Sequence, residues 1–255
     1  MTQRRIQQTV LITAALIVIA TAPVAAQQDF RNIASFEADI YFDGTFETKL
    51  NEVFLARLTD LLTLETKIEQ QTGSGEGLTF LYLGPIFTWT PNFYTISRYG
   101  IGYRTDGVIG HEVDVEANYE SAEFFVGGGV RARALPGDDV WYVIPSLGGK
   151  VFPGDRFGVM AKYFFSYNND EEISNALWSE VDYAVSDTVT VKLGGTGEIG
   201  EDPYRSDQPD ISWSALTGAT FRASPTVNIR YHLEYLGRVN YEDGIRNLIL
   251  VDWRF

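Results

Sequence analysis

The 255-residue chain has no cysteine, only 2 histidines and only 2 methionines. Without thiols there is no disulfide framework. A secreted chain of this size must then hold by its core, or by closing a sheet on itself. The two histidines, His111 and His232, fall on separate segments, which argues against a His-based metal site. Basic residues are scarce too: 20 Lys and Arg stand against 34 Asp and Glu. That balance argues against nucleic acid as a partner, because its phosphates would be repelled. Beyond residue 27 no apolar run approaches the ~20 residues of a membrane helix. Near-neutral mean hydropathy suits a soluble protein, but equally a transmembrane barrel, whose lipid-facing and lumen-facing residues alternate and average out.

What is present begins with the N-terminus. Arg4 and Arg5 precede an apolar core, Thr9–Ala22, and the small residues of Pro23–Ala26. These are the three regions of a secretory signal peptide, expected to be removed after Ala26. The core is short for an uncleaved anchor, and no cysteine follows for a lipoprotein anchor. Taking Arg4 and Arg5 from the 20 basic residues leaves 18 against 34 acidic ones, a net charge of −16. The expected organisation is a signal peptide over 1–26, an N-terminal periplasmic stub over 27–32 and one β-domain over 33–255. The 24 glycines and plentiful Tyr, Phe and Trp fit strands and turns better than helices.

From Ile33 the chain divides into segments of roughly 10–14 residues, the length of tilted membrane-spanning strands. Short separators occur at Thr59-Asp60, Pro91-Asn92, Ser121-Ala122, Pro153–Arg156, Ser186-Asp187 and Ser224-Pro225. Longer, more acidic ones alternate with them: Asp43-Gly44, Gln71–Gly77, Thr105–Gly107, Pro136–Asp139, Asn168–Asn175, Glu201–Pro209 and Val239–Ile245. Short turns alternating with long polar loops is the layout of an outer-membrane barrel, turns periplasmic and loops outside. A solenoid is the weaker reading, since nothing recurs within the repeat except the hairpin. The count is 14 strands, or 12 if Thr45–Gln71 is a helix, as Leu50, Phe54, Leu58, Leu61 and Ile68 would allow. The strand reading sets Phe54, Ala56 and Leu58 against Leu62, Leu64 and Thr66 around a turn at Thr59–Leu61.

Period-two alternation says which face each side chain shares. A two-residue turn at Ser121-Ala122 opposes Val113 to Val130, Val115 to Gly128 and Tyr119 to Phe124 on a greasy face. The other face then carries Glu112, Asp114, Glu116, Arg131 and Arg133, with Glu112 opposite Arg131. A three-residue turn at Ala223–Pro225 opposes Phe221 to Val227 and Trp213 to Tyr235. It turns Arg222, Arg230, His232 and Glu234 inward, with Leu216 and Leu236 as apolar exceptions. Around Ser186-Asp187, Tyr183 meets Val189 outside and Glu180 meets Lys192 inside. A charge facing the bilayer centre costs ~2–4 kcal/mol, so the charged faces are expected to line the lumen. Leu78–Arg104 is apolar on both faces and leaves its register open.

Aromatic residues cluster near segment ends, among them Trp89, Phe93, Tyr119, Phe124, Trp141, Phe157, Trp213 and Trp253. Rings at headgroup depth form the girdles of such barrels. The alternative, core aromatics of a β-sandwich, sits badly with so many long strands.

The last strand completes the pattern. Asn247, Ile249, Val251, Trp253 and Phe255 share one face, and Leu248, Leu250, Asp252 and Arg254 the other. An alternating terminal strand ending on an aromatic ring resembles the C-terminal signature of bacterial outer-membrane β-barrels. In that family it closes the barrel and is read by the assembly machinery, which would give Ile249, Val251, Trp253 and Phe255 the role of assembly signal. The resemblance covers nearly the whole chain. Length, short turns and the lack of a soluble domain are also similar to the YaiO family of small barrels, a likeness of layout rather than of a diagnostic motif. It implies an all-β, transmembrane, antiparallel up-and-down barrel in a Gram-negative cell outer membrane. Its partners would be membrane lipid, lipopolysaccharide and the assembly machinery, with no substrate, cofactor or catalytic residue implied.

Chemistry is sparse. The acidic loops Asn168–Glu172 and Glu201–Asp207, and Asp138-Asp139, read as solvated charge runs before they read as Ca²⁺ sites. Glycines inside strands, such as Gly127–Gly129 and Gly194-Gly195, lack the strand–GxGxxG–helix setting of a nucleotide loop. They suit close strand approach and curvature instead. A lipid-modifying enzyme would need Ser214 within reach of His232, one pair apart in the register above. The first expectation is therefore a narrow passive pore for small polar solutes, not an enzyme. Its lining would be Glu112, Asp114, Glu116, Arg131, Arg133, Glu180, Lys192, Arg222, Arg230, His232 and Glu234. The alternatives are a non-conducting structural or surface-interaction barrel and a soluble periplasmic carrier.

Overall fold

The computed structural model describes residues 29–73, 76–135, 140–169, 173–200, 211–238 and 243–255. The signal peptide expected over 1–26, the acidic loop Glu201–Asp207, Asp138-Asp139 and Asp170–Glu172 lie outside these residues. Fourteen strands follow in order. The first seven are β1 (Phe30–Tyr41), β2 (Phe46–Arg57), β3 (Leu62–Gly73), β4 (Glu76–Thr90), β5 (Phe93–Arg104), β6 (Ile109–Glu120) and β7 (Phe124–Leu135). The rest are β8 (Val140–Val151), β9 (Phe157–Asn168), β10 (Ile173–Ala184), β11 (Val189–Gly200), β12 (Ile211–Ser224), β13 (Val227–Arg238) and β14 (Gly244–Arg254). Each pairs antiparallel with its sequence neighbours, and β1 pairs with β14, so the sheet is a closed up-and-down barrel. Closure removes every sheet edge, which answers how a chain without disulfides, and without helices among the described residues, satisfies its backbone.

Strand β1 starts at Phe30, so Phe30–Asn32 belong to the wall rather than to a stub. Thr45–Gln71 is β2 and β3, not a helix. Phe54 stands opposite Thr66 and Ala56 opposite Leu64, the pairs the strand reading requires.

Three other hairpins keep the expected faces but not the expected partners. Asp114 faces Arg131 and Glu112 faces Arg133. Tyr183 faces Val191, and Asp182 rather than Glu180 faces Lys192. Phe221 faces Ile229, Trp213 faces Gly237, and Ser214 faces Leu236. Each register is displaced by two because each turn is centred one residue further along the chain. The cause is a hydroxyl at the mouth of the turn. The Ser121 Oγ accepts the Phe124 N–H at 3.1 Å and the Ser186 Oγ accepts the Val189 N–H at 3.1 Å. The Ser224 Oγ likewise accepts the Thr226 N–H at 3.2 Å. A Ser or Thr acting this way opens its turn instead of sitting at the centre. Thr59 and Thr90 make the same bond to the N–H groups of Leu62 and Phe93, both at 3.0 Å. This Ser/Thr position is a recurrence that the hairpin repeat does carry.

The two faces differ sharply. Outside lie apolar side chains such as Leu81, Leu83, Val113, Val130, Leu147 and Leu193, the last two 64 % exposed. So much exposed apolar surface is untenable in water. Inside lie most of the charges, several almost wholly buried, including Glu65, Glu112, Asp114, Arg133, Glu180 and Lys192. Two prolines interrupt the ladder: β4–β5 pairing skips Gly84 and Pro85, and β8–β9 pairing skips Ile144 and Pro145. Proline has no N–H to offer there.

Candidate functional site: the barrel interior

Strand parity brings the charges of β3 to β8 together on the inner wall. The Arg98 guanidinium, midway along β5, donates to Glu65 and Asp114 at 2.7 Å each and to Glu116 at 3.1 Å. Next to it, Arg133 donates to Glu112 at 2.6 Å, and Arg131 lies 3.4 Å from Glu112 and 3.7 Å from Asp114. Bonds between charged partners in a partly dry wall are the strong kind.

Rings fill the space towards the long-loop end. Phe80 and Tyr82 of β4 face Gly102 and Gly100 of β5. A Cβ on either glycine would meet a ring carbon at 2.5 Å, so the absent side chains let both rings lie flat against the wall. Arg133 caps Phe80, its guanidinium carbon 4.3 Å from the ring centroid, and lies 5.7 Å from that of Tyr142. All three rings are 2 % exposed or less. This sector of the interior is packed.

A second set fastens the closing seam. Arg246 of β14 bonds Asp39 of β1 at 2.8 and 2.9 Å and lies 3.3 Å from Glu37 and 3.4 Å from Glu234. Arg31 bonds Asp252 at 2.7 and 2.8 Å. A third set joins Lys192 to Glu180 and, at 3.7 Å, to Asp182, whose other partner is Lys150.

The remaining lining candidates stand apart. Arg222 is exposed at the short-turn end. Arg230 and His232 lie on the inner face of β13. Their Nε and Nε2 atoms are buried without hydrogen-bond partners, as is the Thr220 hydroxyl opposite Arg230. Ser214 is four residues along β12 from Gly218, the partner of His232, or about 13 Å. Its hydroxyl lies 2.8 Å from that of Thr196. The nucleophile–base pair considered for catalysis is therefore not assembled.

Several interior residues were not singled out from the sequence: Glu65, Arg98, Asp39, Arg246, Lys150 and Asp182. Arg98 was legible in principle. Carrying the β6 parity back across the turn to β5 sets it opposite Asp114. Asp39 and Arg246, 207 positions apart, carry no local signal.

Between the packed sector and β11 lies a recess of about 350 Å³. Asp114, Glu116 and Arg131 line one side, Lys162, Phe164 and Ser166 of β9 another, and Ser174 and Glu198 the far side. Among the described residues, no group of three or more His, Asp or Glu is arranged to hold a metal ion.

On the outer face of β14, Ile249, Val251, Trp253 and Phe255 form one row. The Trp253 and Phe255 rings meet edge to face at 6.2 Å, and the Phe255 N–H donates to the Phe30 carbonyl at 2.9 Å. The last residue is thus tied to the first strand.

No family model matches the chain, and neither does any curated protein. The narrower likeness to the YaiO family thus rests on layout alone. Solved structures do match. The chain is similar to the CymD monoaromatic hydrocarbon channel, with TM-score 0.65 and 10 % identity over 89 % of this chain and 88 % of that one. It is similar to a bacterial polysaccharide outer membrane secretin, with TM-score 0.60 and 9 % identity over 91 % of this chain and 99 % of that one. An outer membrane channel from Pseudomonas putida F1 gives TM-score 0.57 and 11 % identity over 91 % and 97 %. At such identities the shared property is the fold, and that fold is the one outer-membrane barrels use.

Proposed function

We propose that the protein is an outer-membrane β-barrel, its short turns periplasmic and its long loops outside, that forms a narrow passive pore for small polar solutes. The observation that carries this is the division of the wall: an apolar exterior suited to lipid around an interior that is charged and holds an open recess. The two neighbours named as channels support the reading. The expected lining divides by exposure. Arg131 has a side chain 39 % exposed, whereas that of Glu112 is 2 % exposed. Arg131 therefore belongs to the wetted path, and Glu112 to the packed wall that holds it.

The test is conductance of the folded protein in a planar bilayer. Discrete steps whose ion selectivity moves towards cations in Arg131→Gln support the pore. A silent bilayer from a correctly folded protein refutes it. That outcome favours the second reading, a closed structural barrel, which has the burial of Phe80, Tyr82 and Tyr142 in its favour.

A further inference from the structure

The interior mostly pairs its charges with one another, and two that face the recess are exceptions. Among the described residues Lys162 has no ion pair and no hydrogen bond; its ammonium rests 5.0 Å from the centroid of the Phe164 ring. Glu198 accepts hydrogen bonds from the hydroxyls of Ser174 at 2.6 Å and Ser212 at 3.2 Å, and no cation among the described side chains joins it. Ser166, on the same face of β9 as Lys162, is 5 % exposed and its hydroxyl has no partner. Among the described side chains, then, a cation without a counter-charge, an anion without a counter-charge and an orphaned hydroxyl line one cavity. The other charges of that cavity are committed elsewhere: Asp114 and Glu116 to Arg98, and Arg131 to Glu112 and Asp114.

We infer that this recess is a binding site for a small zwitterionic solute, an amino acid or short peptide. Lys162 takes its carboxylate and Glu198 its ammonium. The inference rests on the reading of the lumen as a path for polar solutes and names the class that dwells in it.

Geometry supports the pairing. Lys162 stands level with Trp178, Trp178 with Thr196, and Glu198 is two residues beyond Thr196. Two strand spacings and two residues separate the Cα atoms, or about 12 Å. That separation sets both side chains on one recess, within reach of the two ends of a small zwitterion hydrogen-bonded to each at about 2.8 Å. A lone anion would satisfy Lys162 but face Glu198 and Glu116. A lone cation would satisfy Glu198 but face Lys162 and Arg131. Only a molecule carrying both charges matches both walls, and Ser166 has a hydrogen bond to give it. The Phe164 ring, with Ile144, offers apolar surface to the solute's carbon skeleton.

The experiment uses the full chain folded in detergent, with glycylglycine as probe and propionate and propylamine as single-charge controls. Binding is followed by calorimetry, and by interruption of single-channel current in a bilayer. Glycylglycine is expected to bind at least about tenfold tighter than either control. Lys162→Met and Glu198→Gln should each weaken it about tenfold or more, with folding checked by heat-modifiable gel mobility. Equal binding of probe and controls, or unchanged binding in either variant, overturns the site. A barrel that conducts but binds no zwitterion loses the site and keeps the pore. One that binds in detergent but is silent in the bilayer loses the pore and keeps the site. Should Lys162→Met fail to fold, Lys162→Gln together with Ser166→Ala puts the same question.

Discussion

Replacing Arg98 by methionine removes the guanidinium that joins three carboxylates on two strands. Its side chain is 17 % exposed, and those of Glu65 and Asp114 are 4 % and 7 % exposed. After the substitution Glu65 keeps no ion pair among the described residues, and Asp114 keeps the one with Arg131 at 3.7 Å. Breaking a buried pair by deleting one partner costs about 3–5 kcal/mol, because the remaining charge is stranded. The low end applies here, since the wall borders an open recess of about 350 Å³ whose polar lining favours hydration, and a loss of about 3 kcal/mol is expected. Methionine conserves much of the volume, so the loss is electrostatic rather than a cavity effect. The assay is equilibrium urea unfolding of vesicle-inserted protein, followed by tryptophan fluorescence. Adding Glu65→Gln and Asp114→Asn should recover most of the loss, because the carboxylates then have no charge to strand. If Arg98→Met unfolds within about 0.5 kcal/mol of the parent, the carboxylates are freely hydrated and the interior is not packed at this level. A large loss that the neutral triple variant does not recover refutes the electrostatic argument in favour of a steric one.

Two further outcomes follow from the wall itself. A Cβ at Gly84 would sit 1.8 Å from the Ser97 carbonyl oxygen, whereas one at Gly197 meets nothing within 4 Å. Gly84→Ala should therefore lose ~2 kcal/mol or more, or fail to assemble, while Gly197→Ala stays within about 0.5 kcal/mol; equal effects would show that β4 and β5 are not in close approach. Glu52 is the one charged side chain on the outer strand faces among the described residues. It is flanked by Ala34 and Ile68 and bonded at 3.1 Å to Asn32, itself 2 % exposed. It lies one alternation from Phe54, which stacks on Phe30, so it is near the girdle and its cost is below the mid-bilayer figure. Glu52→Leu is expected to raise unfolding stability in vesicles by about 1 kcal/mol. A loss of similar size would mean that the carboxylate faces a partner rather than lipid.

Some of this was written locally and some was not. Which face each side chain occupies is a matter of parity, and parity survives any error of two residues. Glu112, Asp114, Arg131 and Arg133 therefore share the buried face however the hairpin is drawn. The number of strands is equally local, because an apolar alternation of about 12 residues between turns has no other stable form without helices. Partners are a finer matter. They depend on where a turn is centred, and a serine hydroxyl that captures the N–H ahead of it moves that centre by one residue. So Asp114, not Glu112, meets Arg131. The pairing of Asp39 with Arg246 and the convergence of Glu65, Arg98 and Glu116 are further from reach, because no segment contains them. They exist only once the sheet closes and its curvature aims side chains from separate strands at one point. The recess between Lys162 and Glu198 belongs to the same class: alternation puts each residue on the inner wall, and the closed barrel alone brings the two to one cavity.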